Sequence, residues 1–384
     1  MGELAYAVLR RQLGVIRDKE PGTRLGEEPE DLHDMRVATR RMRAALSLFA
    51  EVLPMRAQIF REELGWLGRL LGAVRDLDVQ QEGLTAMATA TAGWSAGLRP
   101  DDHDPLAELA ALLERERDGA RADMLAGLDS VRWERLAKGL AVMVQQGPAR
   151  RSLAARVPAV IGMPDLVVAR HDAVAKAGKR AKRSGAVADF HRLRIRCKRL
   201  RYALEFGADV YGGRTGRFVR QLTVLQDELG QMQDAEVAST RLAGLATGGA
   251  HLPPATVFVM GGVAERHRRD VDRLLRRMPK EVSRVGGREW RDLLELMERK
   301  RAEAEAERPP PGSTLRAVPR PADDAATPEL PEGAGPAGHP AGSGTARPPV
   351  QSVAPPPGTA PPAPNGAGPP GLTALASPPS GEGE

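Results

Sequence analysis

One cysteine, Cys197, in 384 residues leaves no partner for an internal disulfide and no set of thiolates for a zinc site, which suits a reducing compartment such as the cytosol. Aromatic residues are also scarce, at 3% of the chain, so the stacked rings on which single-stranded nucleic acid is usually held have few residues to build them. No apolar run approaches the roughly 18 residues that a membrane span needs. The first eleven residues carry arginines where a secretory signal needs apolar residues, so neither a membrane span nor an export signal is expected. Proline is sparse until residue 309 and abundant after it, with 21 of the 32 prolines in 309–384 among Gly, Ala and Ser. Such a segment has too little apolar surface to offset the entropy of ordering it, and it reads as a disordered tail or tether whose protein partner its composition does not identify. Three arginines stand against six acids in that tail, so residues 1–308 hold 53 basic and 44 acidic side chains, a net charge of +9.

What is present is helical periodicity. Leu, Ala, Val and Met recur at three- and four-residue spacing over long stretches, and alternating β-branched runs are few, so the class is all-α. The pattern predicts helices over 3–19, 30–53, 56–73, 76–92, 104–127 and 130–146. A second set follows over 164–184, 187–210, 214–230, 234–246, 254–278 and 287–306. Gly147-Pro148, Gly212-Gly213, Gly248-Gly249 and Gly286-Gly287 are the stops.

The second set repeats the first. At a shift of 158 residues His33, Arg36, Arg41, Arg43, Ala45 and Leu46 fall on His191, Arg194, Arg199, Arg201, Ala203 and Leu204. The register continues without a gap through Phe60, Leu64, Leu71, Gly72 and Asp76 onto Phe218, Leu222, Leu229, Gly230 and Asp234. The expected architecture is therefore a duplicated helical bundle, with halves 1–147 and 158–308 joined by a linker at 148–157 and followed by the tail at 309–384.

At 100° per residue the segment after Leu32 divides into two faces. Met35, Met42, Leu46 and Phe49 share an arc of about 60°, and His33, Arg36, Arg40 and Arg43 occupy about 80° opposite. His191, Arg194, Lys198 and Arg201 reproduce that cationic stripe, Arg41 and Arg199 flank the two copies, and the preceding helix adds Lys176, Lys179, Arg180 and Arg183. Like charges at this spacing repel. Either Asp76, Asp78, Asp234 and Glu236 neutralise them from neighbouring helices, or an outside polyanion does, and arginine's planar fork matches phosphate oxygens.

The two segments His33-Asp-Met-Arg36-Val-Ala-Thr-Arg40-Arg41-Met-Arg43-Ala-Ala-Leu46 and His191-Arg-Leu-Arg194-Ile-Arg-Cys-Lys198-Arg199-Leu-Arg201-Tyr-Ala-Leu204-Glu-Phe resemble the signature helices of the CHAD family, the conserved histidine α-helical domain. The likeness covers residues 3–308. It implies two helical bundles related by a pseudo-twofold axis, a basic groove along their junction, binding of inorganic polyphosphate, and a place on polyphosphate granules in the cytoplasm. The motif positions it carries over are His33, Arg36, Arg40, Arg41, Arg43, His191, Arg194, Lys198, Arg199 and Arg201. The triphosphate-tunnel CYTH domain found in many relatives has no counterpart here, so no phosphohydrolase activity is inherited.

Nucleic acid is the second reading for a basic groove, weakened by the few aromatics near the stripes, Tyr202 and flanking Phe. A metal-dependent enzyme is the third. Asp76-Leu-Asp78 and Asp234-Ala-Glu236 are repeated carboxylates, but a helix start or pairing with motif arginines is the preferred role for them. The histidines are read as neutral hydrogen-bonding groups in preference to a pH switch or metal ligands, and HExxH-type spacing is absent. No cofactor is expected.

Overall fold

Tyr6, Leu9, Leu13 and Ile16 recur at helical spacing and are at most 4% exposed, so the first segment buries one face of a helix. The same pattern, repeated along the chain, gives twelve helices and no strand among the residues that the computed structural model describes, which are 1–95, 106–149, 151–248 and 252–307. They are α1 (Gly2–Leu25), α2 (Pro29–Leu48), α3 (Ala57–Ser95), α4 (Ala107–Leu128), α5 (Val131–Gln146), α6 (Leu153–Arg156), α7 (Ala159–Ser184), α8 (Val187–Phe206), α9 (Ala208–Tyr211), α10 (Gly213–Thr247), α11 (Pro254–Arg284) and α12 (Arg288–Ala306). The all-α class is as expected. The tail assigned to 309–384 lies outside the described residues.

Local chemistry sets several helix ends. Gly26 and Gly185 adopt left-handed φ values of 76° and 63° after α1 and α7, and their N–H groups donate to Gly22 O and Ala181 O. Ser130 caps α5 by accepting from the Trp133 N–H at 3.3 Å. The linker expected at 148–157 contains the short helix α6, capped by Ser152.

Two expected breaks do not occur: 56–73 and 76–92 form the single helix α3, and 214–230 and 234–246 the single helix α10. Gly72 and Gly230 lie beside these expected breaks, yet a glycine inside a helix costs only about 1 kcal/mol. Leu71 and Val74, fully buried just beside Gly72, each contribute about 1.5–3 kcal/mol by leaving water. The helix therefore runs through, and Asp76 and Asp234 lie in helix interiors, where they cap nothing.

In the first half α1 packs on α2, α2 on α3 and α3 on α4, while α5 returns to α1 and α3. In the second half α7 packs on α8, α8 on α10 and α10 on α11, with α12 returning to α7 and α10. Burial keeps the 158-residue register: Ala5, Tyr6, Leu9, Leu13, Ile16 and Thr23 are buried, as are Met163, Pro164, Val167, His171, Val174 and Ala181. Among the described residues the contacts between the halves include two that bear on the site. Near the middle α2 lies against α8, with the Phe49 and Phe206 rings 6.3 Å apart. Farther out, Leu77, Leu84, Leu109 and Leu113 share a small core with Leu242, Val259, Met260 and Val263, and Arg241 donates to Glu116 beside it.

Candidate functional site

The apolar side of α2 is core as expected, with Met35 and Met42 fully buried, and this turns Arg36, Arg40 and Arg43 toward α3 and α8. Arg36 lies against Gly72, where a Cβ would stand 3.6 Å from its Nε, and donates to Asp76 Oδ1 at 3.0 Å. On α8, Arg194 lies against Gly230 in the same way, its Nε 3.7 Å from where a Cβ would stand. The two register-matched glycines are thus seats for guanidinium groups. Asp234, the counterpart of Asp76, is exposed and makes no ion pair among the described residues, so the α8 stripe lacks the acid that steadies Arg36.

Where α2 meets α8, the two stripes form one field. Lys198 is half-buried, and burial pushes its ammonium down to about 7, helped by the charges of Arg194, Arg40, Arg36 and Arg201. Two of those four arginines come from the other half of the chain. Burial likewise pulls Arg36 below the ordinary arginine value; Asp76 opposes that shift, while Arg40, Arg75 and Arg194 add to it. Among the described residues the buried Nε atoms of Arg40 and Arg194 have no hydrogen-bond partner. Buried donors of this kind are normally satisfied by protein, water or ligand.

A second knot of cations joins the halves at the flank. Arg199 is lowered by burial and then by Arg196, Arg170, Arg61 and Arg43, and Arg43 by burial and then by Arg61 and Arg69. Arg43 also donates from Nε to the Arg61 carbonyl at 3.3 Å. Arg41 behaves differently: its Nη1 is 2.6 Å from Glu205 Oε2, and the guanidinium lies over the Tyr202 and Phe206 rings at 5.4 and 5.7 Å. Arg201 Nε is 3.5 Å from the same Glu205.

His191 Nδ1 is hydrogen-bonded to Gln233 Oε1. His33 is half-buried on the matching face of α2. The paired carboxylates divide their roles. Asp76 serves Arg36, whereas Asp78, 7% exposed, turns away and is held by Arg117 at 2.6 Å.

Lys176, Lys179 and Arg183 do not join the α2/α8 cluster. They are exposed and line a groove of about 960 Å³ between α7 and α8, opposite Arg192, Arg196 and Arg199. Sequence reasoning missed Arg196 and Arg192, although α8 periodicity places both on the Arg199 side of the helix. It also missed Arg61, Arg69, Arg75 and Arg170, for which no local signal exists, and Glu205, visible as the i+4 partner of Arg201.

The family model for the CHAD domain matches residues 7–243. Among solved structures, the CHAD domain from the plant Ricinus communis is similar at 29% identity and a TM-score of 0.59, covering 74% of this chain and 91% of that one. PptA from Streptomyces chartreusis has the same fold at 21% identity and a TM-score of 0.59, covering 74% of this chain and 99% of that one. No curated protein matches. With its signature helices paired at the middle of an all-helical fold, the chain belongs to the CHAD domain family, a family associated with polyphosphate binding.

Proposed function

We propose that this protein binds inorganic polyphosphate, and that the cations of α2 and α8 are its principal contacts. The observation that carries the reading is the setting of Lys198, half-buried among Arg36, Arg40, Arg194 and Arg201 with a charge its surroundings oppose. A fold gains nothing from gathering like charges out of water, and a polyanion laid across them removes the penalty. Polyphosphate offers phosphate oxygens at high density and no base to read, which matches a surface of forks and point charges without stacking rings. Tyr202, the aromatic beside the stripe, is buried under Arg41 and is not presented for stacking. That counts against single-stranded nucleic acid, and competition between polyphosphate and duplex DNA at fixed salt separates the remaining readings.

The protein acts as a binder, not as a hydrolase, and polyphosphate granules in the cytoplasm are its proposed place. Titration calorimetry with a long polyphosphate tests the binding. The parent should bind with an affinity that falls steeply with salt, at a log–log slope of about −3.5 if five cations each release counterions as on a single strand. The double variant Arg40→Glu with Lys198→Glu should lose binding by orders of magnitude. Equal affinity of variant and parent would remove the proposal.

A further inference from the structure

The groove between α7 and α8 belongs to one half only. Its walls carry seven cations, among them Lys176, Lys179, Arg183, Arg196 and Arg199, against two carboxylates, Asp172 and Asp189. One of those carboxylates is occupied internally. Asp189 lies 2.7 Å from Arg180 and 2.5 Å from Arg192, and hydrogen bonds from Ser184 and then Arg192 hold its carboxyl down at about 2. Lys176, Lys179, Arg183, Arg196 and Arg199 make no ion pair among the described residues. At the 158-residue register the positions of Lys176, Lys179, Arg183 and Arg196 are Asp18, Pro21, Leu25 and Ala38 in the first half. There Lys19 is already tied to Asp31 at 2.8 Å and Asp34 at 3.2 Å. A charge pattern kept for packing would survive in both halves, because the buried faces of α1 and α7 do so; this one is confined to the solvent side of α7 and α8.

The groove is also continuous with the junction. Arg199 forms its end on α8 and lies within the field of Arg196 and Arg170 on one side and of Arg61 and Arg43 on the other. Arg43 is the last member of the α2 stripe, so a flexible chain leaving the α2/α8 cluster past it comes next to Arg199 and the groove, whose far cation, Arg183, is about two helical turns along α7 from Lys176.

Resting on the polyphosphate reading above, we infer that the α7/α8 groove is a second phosphate-binding tract, entered past Arg199, which makes the protein favour long polyanions over short ones. A short oligomer fills the α2/α8 cluster alone; a long one engages both and gains the second contact at high effective concentration.

The experiment compares tripolyphosphate with a long polyphosphate on the parent and on Lys176→Glu with Lys179→Glu. Both side chains are exposed and unpaired, so the variant should keep the parent's helicity and melting temperature. The expected result is unchanged tripolyphosphate affinity and a loss on the order of tenfold or more for the long polymer. Unchanged long-chain affinity, or equal losses for both ligands, overturns the inference while leaving the polyphosphate reading intact. A parent that binds neither ligand overturns both. Arg196→Ala provides the second check, since it removes a cation from the opposite wall without reversing charge, and it should weaken the long polymer alone.

Discussion

Glu205 on α8 reaches across to Arg41 on α2, with Oε2 2.6 Å from Nη1, and so ties the two halves at the edge of a strongly cationic junction. Its counterpart at the 158-residue register is Ser47, so only one side of the junction carries this acid. Two arginines depend on it, because Arg201 is 3.5 Å away as well.

Glu205→Gln keeps the shape and removes the charge. About three-quarters of each side chain is out of water, so the loss should be about 1–2 kcal/mol, above the range of exposed pairs. The melting temperature should fall, polyphosphate affinity should rise because one opposing charge is gone, and saturating polyphosphate should restore the lost stability. Thermal melts with and without ligand read all three effects. A variant as stable as the parent and no tighter in binding would deny Glu205 this role.

Lys198 gives the binding a pH dependence. Its pKa in the free protein is about 7, so at pH 8 it is largely neutral. A phosphate chain alongside stabilises the ammonium and raises that pKa, so binding takes up a proton and affinity falls as pH rises from 6.5 to 8.5. Calorimetry in two buffers of different ionisation enthalpy should show uptake approaching one proton per site near pH 8. Lys198→Arg should remove the uptake, since arginine is charged throughout. If the uptake persists in that variant and disappears in His33→Gln with His191→Gln, the titrating groups are the histidines.

The helices and the stripes were legible because both rest on local periodicity. The apolar arc of Met35, Met42 and Leu46 requires the opposite arc of Arg36, Arg40 and Arg43 to face away from that core. What lies opposite those arginines was not legible, since Arg61, Arg170 and Arg196 reach the junction through the tertiary fold. The breaks expected at 73–76 and 230–234 are absent because the helices run through, and Gly72 and Gly230 inside them each admit an arginine to the backbone. Lys176 and Lys179 share one exposed side of α7, as their spacing predicts. Their separation from the α2/α8 cluster depends on the packing of α7 on α8, which periodicity alone does not reveal.

Asp78 and Arg117 concern stability at the outer contact between α3 and α4, away from the cationic junction. Asp78 is 7% exposed and its second oxygen, Oδ2, has no hydrogen-bond partner among the described residues, so Arg117 is its principal support. Arg117→Met should leave a buried carboxylate unpaired and cost about 2–4 kcal/mol in denaturant unfolding. Asp78→Asn with Arg117→Met should recover much of that loss, while polyphosphate affinity stays at the parental value in both. Recovery without a change in binding assigns Asp78 to the framework. A polyphosphate-cleaving activity lost in Asp78→Asn would assign it to catalysis instead.

His171 should make the second half sensitive to acid. Its ring stacks on Trp290 at 3.7 Å between centroids and 5° between planes, with Nε2 hydrogen-bonded to the Val285 carbonyl at 3.3 Å. A carbonyl only accepts, so Nε2 carries a proton, and the lowered pKa leaves Nδ1 unprotonated at pH 7. Burial pushes the pKa below the ordinary 6.5, only partly opposed by Val285 and by Asp172, whose carboxylate is 3.8 Å from Nδ1. In the unfolded chain the ring takes up its proton near 6.5, whereas in the folded chain it does so at lower pH. The stability contributed by the neutral ring is therefore complete above about pH 6.5 and is lost as pH falls through the folded value. The melting temperature of the parent should drop between pH 7 and pH 5. His171→Leu, which installs the residue found at the equivalent position 13, should be less stable than the parent at pH 7 through loss of the stack, but should lose less over the same interval, the remainder falling to His267, whose pKa burial also lowers. Parallel pH profiles for the two proteins would mean that the acid sensitivity arises elsewhere.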